Sequence, residues 1–195
     1  IAEPNDLICE AIHIQDNVID LTGVRVSDQV EVSSITNDAP DVFPLGETIV
    51  TWTATDSSGN SSSATQLVTI VDTTIPTIIA PLDIQNEATS IENNIVNYGF
   101  AEASDQVEVS SITNDAPEVF PLGETIVTWT ATDSSGNSSS ATQLVTIVDT
   151  TSPVIEESKE VLFEATSQFR NIIELQMIEL TDNTEVSSIT NDAPE

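Results

Sequence analysis

The chain has 195 residues, 38% of them hydrophobic, with one cysteine and 33 acidic against three basic residues, for a formal net charge of −30. That balance excludes recognition of nucleic acid or an anionic membrane, which needs clustered Lys and Arg, and a single cysteine excludes an intramolecular disulfide. No apolar run approaches the ~18 residues of a spanning helix, so no membrane insertion is expected in this segment.

The acids are dispersed among β-branched residues, so the composition reads as folded rather than disordered. The basic residues are Arg25, Lys159 and Arg170. The chain begins at Ile1 without a signal peptide and reads as a mature product or an excerpt of something longer. Its main pattern is repetition. Ser27–Thr74 and Ser104–Thr151 are each 48 residues long, stand 77 residues apart and differ only at Asp41 against Glu118. A third copy starts in register, with Asp182 aligned to Asp28 and Asp105. A fixed period of this size marks a tandem array. The repeats expected are 1–72, 73–149 and a partial one at 150–195 that lacks its last hairpin.

Within the middle repeat, taken in chain order, a first strand is expected over about Thr77–Thr89. Pro81 interrupts it, which makes it an edge strand or one that switches sheets. A second strand is expected over about Ile95–Ser104. Its apolar residues fall at Val96 and Tyr98 and then at Ala101 and Ala103, a step of three inside a period of two. The same step occurs at Ile19, Leu21, Val24 and Val26 and at Ile173, Leu175, Ile178 and Leu180. A β-bulge near Gly23, Phe100 and Met177 would restore the inward face. A third strand covers about Val107–Thr113. The Pro-rich connection that follows is expected to be pinned by Val119, Phe120 and Leu122. Last comes a hairpin, Glu124–Asp133 and Ser138–Asp149, around Ser134-Ser135-Gly136-Asn137. Val127, Trp129 and Ala131 alternate onto one face, and Gly136 supplies the positive φ. Short strands with proline-marked edges describe an all-β fold of tandem immunoglobulin-like sandwiches. The linkers Asp72–Pro76 and Asp149–Pro153 favour extended backbone. The array is expected to be a stiff rod on the order of 100 Å, from ~33 Å per ten-residue strand.

The segment GETIVTWTATDSSGNSSSATQLVTIVDTTIP resembles the second half of a hyalin-repeat (HYR) module, and PLDIQNEAT followed by ASDQVEV resembles the first half. The resemblance covers nearly the whole chain. It implies an extracellular immunoglobulin-like module that serves adhesion or structure and has no catalytic site. Many members carry two cysteines where this chain has residues such as Ala80 and Trp129, so the family's disulfide is absent.

Candidate chemistry is sparse. His13 is the only histidine, so a nucleophilic triad has little to be built from, and a surface or packing role is expected. No zinc, P-loop or dinucleotide pattern is present. In an immunoglobulin-like sandwich, Asp105 in the loop after the second strand, Asp133 in the hairpin turn and Asp72 of the preceding linker converge on one junction. Asp149 and Asp182 belong to the next junction, and Asp28 and Asp56 to one before the first repeat. Converging carboxylates repel unless a cation bridges them. Ca²⁺, which accepts six to eight oxygens, is the cofactor expected, with the carbonyls of Thr73 and Thr74 and waters completing the shell. The alternative is solvated loop acids capping their own turns. Glu10, Glu87 and Glu164 recur in register and are expected to face solvent rather than orient backbone. Asn60 and Asn137 open N-x-S sequons, candidate glycosylation points of a secreted protein. Cys9 is expected to be small and partly buried. Trp52 and Trp129 are expected in the core rather than on a carbohydrate platform.

The function expected is a non-enzymatic repeat segment of a prokaryotic extracellular filament, surface layer or adhesin stalk. Its partners would be copies of itself or neighbouring repeats of a longer chain. The alternatives are a ligand- or carbohydrate-binding adhesin and an accessory module of a large secreted enzyme.

Overall fold

A computed structural model describes residues 2–156, 162, 164–165, 167–168 and 179–191. Among these residues the structure is all strand, turn and irregular backbone. The first repeat holds β1 (Leu7–Glu10), β2 (Val32–Asn37), β3 (Gly46–Asp56) and β4 (Ser61–Val71), which form one sheet in the order β1-β4-β3-β2. The second holds β5 (Thr77–Ile79), β6 (Ile84–Glu87), β7 (Glu102–Ser104), β8 (Val109–Asn114), β9 (Gly123–Asp133) and β10 (Ser138–Val148). Its main sheet runs β6-β10-β9-β8, and β5 pairs with β7 in a small second sheet. β11 (Val154–Ile155) pairs with β12 (Leu180–Thr181) in the register that β5 and β7 use one period earlier.

The strands follow from side-chain alternation. In β9, Val127, Trp129 and Ala131 are buried, while the threonines between them face outward. On the outer face hydroxyls pair across strands, as in Thr130 with Ser140 at 3.0 Å and Thr55 with Ser61 at 2.9 Å, a contact that helps hold register. Gly136 closes the β9–β10 turn at φ 94. Pro81 ends the pairing of β5 with β7, and the chain crosses to pair β6 with β10 in parallel. Proline cannot donate to a ladder, so the sheet switch falls there. Phe43 packs with Ala11, Val50, Trp52, Val68 and Ile70 in the first core, and Cys9 lies against that cluster. In the second repeat Phe120 is buried and meets Tyr98 edge-on at 5.8 Å.

Two expectations need correction. The strand expected over Ile95–Ser104 is a strand only at Glu102–Ser104. There is accordingly no ladder at Gly23 or Phe100 in which a bulge could sit, and Met177 lies outside the described residues. Val96 and Ala101 are nonetheless buried and Phe100 is exposed, so the inward face is right. The reversal is made by glycines at positive φ, Gly23 in one repeat and Gly99 in the next, in irregular backbone. The register shifts occur instead at Val32/Ser34 and Val109/Ser111. In the Pro-rich connection only Phe120 is buried; Val119 and Leu122 are exposed. One aromatic ring anchors that loop, while Leu45, the counterpart of Leu122 in the first repeat, is half-buried against the first core.

By compactness the chain divides into two units. One comprises Ile1–Ala80, Ala101–Asn114 and Trp129–Ala141; the other comprises Pro81–Phe100, Asp115–Thr128 and Thr142–Glu195.

Candidate functional site

The first unit brings together Asp72, Asp105 and Asp133. Each offers a carboxylate oxygen, and these oxygens lie within 4.8 Å of one another. Three elements position them. Asp72 follows β4, and its Oδ1 accepts the Thr74 N–H at 3.2 Å. Asp105 follows β7, and its Oδ2 accepts the Val107 N–H at 2.8 Å. Asp133 ends β9, and its Oδ1 accepts the N–H groups of Ser135 and Asn137 at 2.9 and 2.8 Å. Burial pushes the Asp133 carboxyl up, but the bonds from Asn137 and Ser135 outweigh it and hold the group below its ordinary value. Turn capping is therefore present at all three aspartates. It does not account for the second oxygen of Asp105, Oδ1, which is buried and has no hydrogen-bond partner. The register-equivalent oxygen, Asp182 Oδ1, is in the same state. Two equivalent orphaned carboxylate oxygens are a costly arrangement unless something meets them.

The other acids expected to meet do so less completely. Asp28 and Asp56 line one concavity of about 200 Å³, and the Asn60 side chain and N–H, with the Ser58 N–H, draw the Asp56 carboxyl below its ordinary value. In the second unit the Thr184 hydroxyl donates to both Asp149 Oδ2 and Asp182 Oδ2. Asn137 donates its side-chain N–H groups to the Asp72 carbonyl at 3.1 Å and to Asp133 Oδ2 at 2.9 Å. A glycan on that nitrogen would displace at least one of these bonds. Asn60 is exposed. Trp52 and Trp129 are core residues, and Trp52 Nε1 donates to Gln66 Oε1 at 2.9 Å.

Glu10 and Glu87 do not simply face solvent. Glu10 accepts the Thr73 N–H at 2.7 Å and both the Thr73 and Thr74 hydroxyls. Glu87 accepts the N–H groups of Thr150 and Thr151 at 2.8 and 3.1 Å and both of their hydroxyls. Each carboxylate thus clamps the linker that leaves its own repeat. A pair of threonines at the linker offers four donors to one carboxylate, which is why Thr-Thr follows Asp there. The Thr150 N–H and the threonine hydroxyls lower the Glu87 carboxyl to about 2. Because the folded value lies below the ordinary one of about 4.3, the clamp contributes fully above that pH and is lost as pH falls toward 2. The Thr150 and Thr151 amide resonances should titrate with a midpoint near 2. A midpoint at the ordinary Glu value would show the clamp absent in solution.

Sequence reasoning missed Asn17 and Asn94. Both are buried. Asn94 Oδ1 accepts the N–H groups of Thr89 and Ser90, and its Nδ2 donates to the Ser90 and Phe120 carbonyls. Asn17 makes the equivalent bonds to Ile12, His13 and Phe43. The available signal was the recurrence of Asn at 17, 94 and 171 in the least similar part of the repeats.

Residues 13–70 and 71–147 each match the HYR domain. The chain belongs to the HYR domain family. Over 143 residues it is 38% identical to hyalin of Strongylocentrotus purpuratus, covering 69% of this chain and 12% of that protein. It is equally similar, 38% over 138 residues, to hyalin of Lytechinus variegatus, covering 66% and 26%. The chain therefore spans a small part of the relatives it matches. Among solved structures, Drosophila N-cadherin EC1-4 aligns with a TM-score of 0.37 at 14% identity over 75% of this chain and 48% of that one. The HYR repeats here are extracellular modules. No helix among the described residues is long and apolar enough to cross a membrane.

Proposed function

We propose that this chain is a non-catalytic structural segment of an extracellular filament, surface layer or adhesin stalk, in which Ca²⁺ ties each HYR repeat to the linker before it. The metal part rests on one observation: three carboxylate oxygens within 4.8 Å, one of the three groups keeping a buried, unpartnered oxygen. A Ca²⁺ with bonds of ~2.4 Å to each of three oxygens accommodates separations up to about 4.8 Å. With Arg25 the only Lys or Arg among the described residues, the protein has few cations of its own to offer the cluster.

The structural part is supported by repetition. The same acids recur every 77 residues, and an array that repeats its chemistry suits spanning and self-contact better than turnover. The partners are neighbouring repeats of a longer chain or other copies of it. A carbohydrate-binding role would draw on several exposed aromatics; both tryptophans are buried, and Phe100 is the one strongly exposed aromatic among the described residues. A prokaryotic cell surface as the source belongs to the same proposal and is tested by sequencing the DNA that flanks the coding region.

Calorimetric titration of the chain with Ca²⁺ should give one stronger site. Asp105→Asn should remove it, while the two-carboxylate pairs Asp28/Asp56 and Asp149/Asp182 bind more weakly, having fewer charged ligands. Identical isotherms for wild type and Asp105→Asn would sink the metal assignment.

A further inference from the structure

Strand β2 lies at the edge of its sheet and pairs with β3 alone among the described strands. The Asp38 N–H donates to the Thr51 carbonyl at 3.3 Å. Residues of an antiparallel ladder alternate between bonding the partner strand and facing away from it. Counting back from Asp38, the N–H and C=O groups of Ile35 and Asn37 face the free side. Ile35 stands opposite the buried Ala54 and is still 46% exposed, because the sheet ends beside it. β8 has the same six residues, the same partners one period on and the same burial pattern, with Ile112 39% exposed. The exposure belongs to the strand itself and recurs in both full repeats.

Charge sets this edge apart. The chain has 33 acidic residues among 195, yet Val32–Asn37 carries no charge at all. Exposed edges are commonly guarded by a lysine, a proline or an inward-pointing charge, and the strand has none of them. The register shift at Val32/Ser34 limits the open stretch at one end, and Pro40 lies beyond the other. Residues 34–37 are left as a neutral, unguarded edge.

We infer that β2 is where a second copy of this chain adds antiparallel to the sheet, about a two-fold axis at Thr36. That register sets Ile35 of each copy opposite Asn37 of the other, so these pairs exchange main-chain N–H···O=C bonds across the seam. It covers the open side of Ile35 and sets Asp38 opposite Ser34, not opposite another acid. Charge selects the occupant. A cationic partner gains nothing from a neutral strand, whereas a copy with the same net charge of −30 approaches closely only where acids are absent. Glu31 and Asp41 oppose each other at the ends of the seam and repel, so pairing should strengthen as salt screens them. Each seam is short, and its recurrence 77 positions on at β8 lets several act together. This pairing rests on the structural role proposed above and adds to it how two copies meet.

The test is sedimentation equilibrium of the full chain in EDTA, at about 0.15 M and about 1 M NaCl, where the screening lengths are ~8 and ~3 Å. The average mass should rise with protein concentration, and more steeply in the higher salt, the opposite of binding to a cationic partner. Thr36 is exposed and lies on the axis, so Thr36→Glu places like charges directly opposite each other. Together with Thr113→Glu in β8, it should weaken association about ten-fold or more. Thr36→Lys with Thr113→Lys should do the same, and an equimolar mixture of the two double variants should restore association. Thr65→Glu with Thr142→Glu adds the same charge at exposed positions of β4 and β10, away from the edge, and should leave association unchanged. Association lost in both double variants and regained in their mixture supports the inference. A wild type that stays monomeric up to about 0.5 mM in both salts, association indifferent to Thr36 and Thr113, or a mixture that stays monomeric overturns it. A monomeric chain leaves the stalk form of the structural role standing, and the Asp105→Asn calorimetry reads the calcium assignment separately.

Discussion

Saturating Ca²⁺ should raise the melting temperature of the chain by about 10 °C or more over its value in EDTA, and the effect of Asp105→Asn should reverse sign between the two conditions. The first part is mass action. An ion that binds only the folded state stabilises by about 2.7 kcal/mol at a hundred times its dissociation constant, and a domain of this size gains roughly 4–8 °C per kcal/mol. The second part comes from the geometry. In EDTA, Asp72, Asp105 and Asp133 place like charges within 4.8 Å of one another, so removing one charge relieves repulsion and raises the melting temperature slightly. With Ca²⁺ present the same change removes a ligand and lowers it. The substituted amide keeps an oxygen for the Val107 N–H that Asp105 Oδ2 now accepts, so turn capping survives in both buffers. Asp28→Asn, away from the three-acid cluster, should alter either value little. A loss of equal size in both buffers would mean that Asp105 is a structural cap and not a ligand.

That cluster was legible in the sequence because its parts lie in the stretches that repeat almost without change, and because an immunoglobulin-like topology dictates which loops share an end. The β9–β10 hairpin was legible for a different reason: alternation of Val127, Trp129 and Ala131 with threonines is a local pattern. The strand over Ile95–Ser104 was over-read. Its spacing recorded burial faithfully, but burial of Val96 and Ala101 does not require a ladder, and periodicity cannot tell a paired strand from an extended segment whose backbone bonds go elsewhere. Glu10 and Glu87 were misjudged because exposure and solvation are not the same thing. Both are exposed on the surface, yet their oxygens are taken up by threonines 63 and 64 positions away, a pairing no local pattern encodes. The register recurrence of Glu at 10, 87 and 164 was the usable clue, as it was for the asparagines.

Those asparagines carry the other large effect. Asn94→Ala should destabilise the second repeat by about 3–5 kcal/mol, enough to threaten a small domain with marginal stability. The side chain closes the loop after β6 and ties it to Phe120, the buried ring that anchors the Pro-rich connection. It accepts from Thr89 N at 2.7 Å and Ser90 N at 3.1 Å and donates to the Ser90 and Phe120 carbonyls at 2.9 Å each. Alanine leaves the Thr89 and Ser90 N–H groups and the Ser90 carbonyl without these bonds, at about 1–3 kcal/mol for each one that water cannot reach, while the Phe120 carbonyl keeps the backbone N–H of residue 94 at 3.2 Å. Asn94→Asp separates the two halves of the role, since a carboxylate still accepts from Thr89 and Ser90 but cannot donate to Ser90 and Phe120, and its buried charge adds a further penalty. The measurement is urea unfolding followed by tryptophan fluorescence. The chain has two tryptophans, one in each full repeat, so Trp52→Phe leaves Trp129 as the reporter of the second repeat, with the Trp52→Phe chain as reference. Asn17→Ala, read through Trp52 in a Trp129→Phe background, should cost a similar amount, because Asn17 bonds Ile12, His13 and Phe43 in the same pattern. A loss below about 1 kcal/mol at both positions would mean that water replaces the amide, and that the ring of Phe120 alone holds the loop.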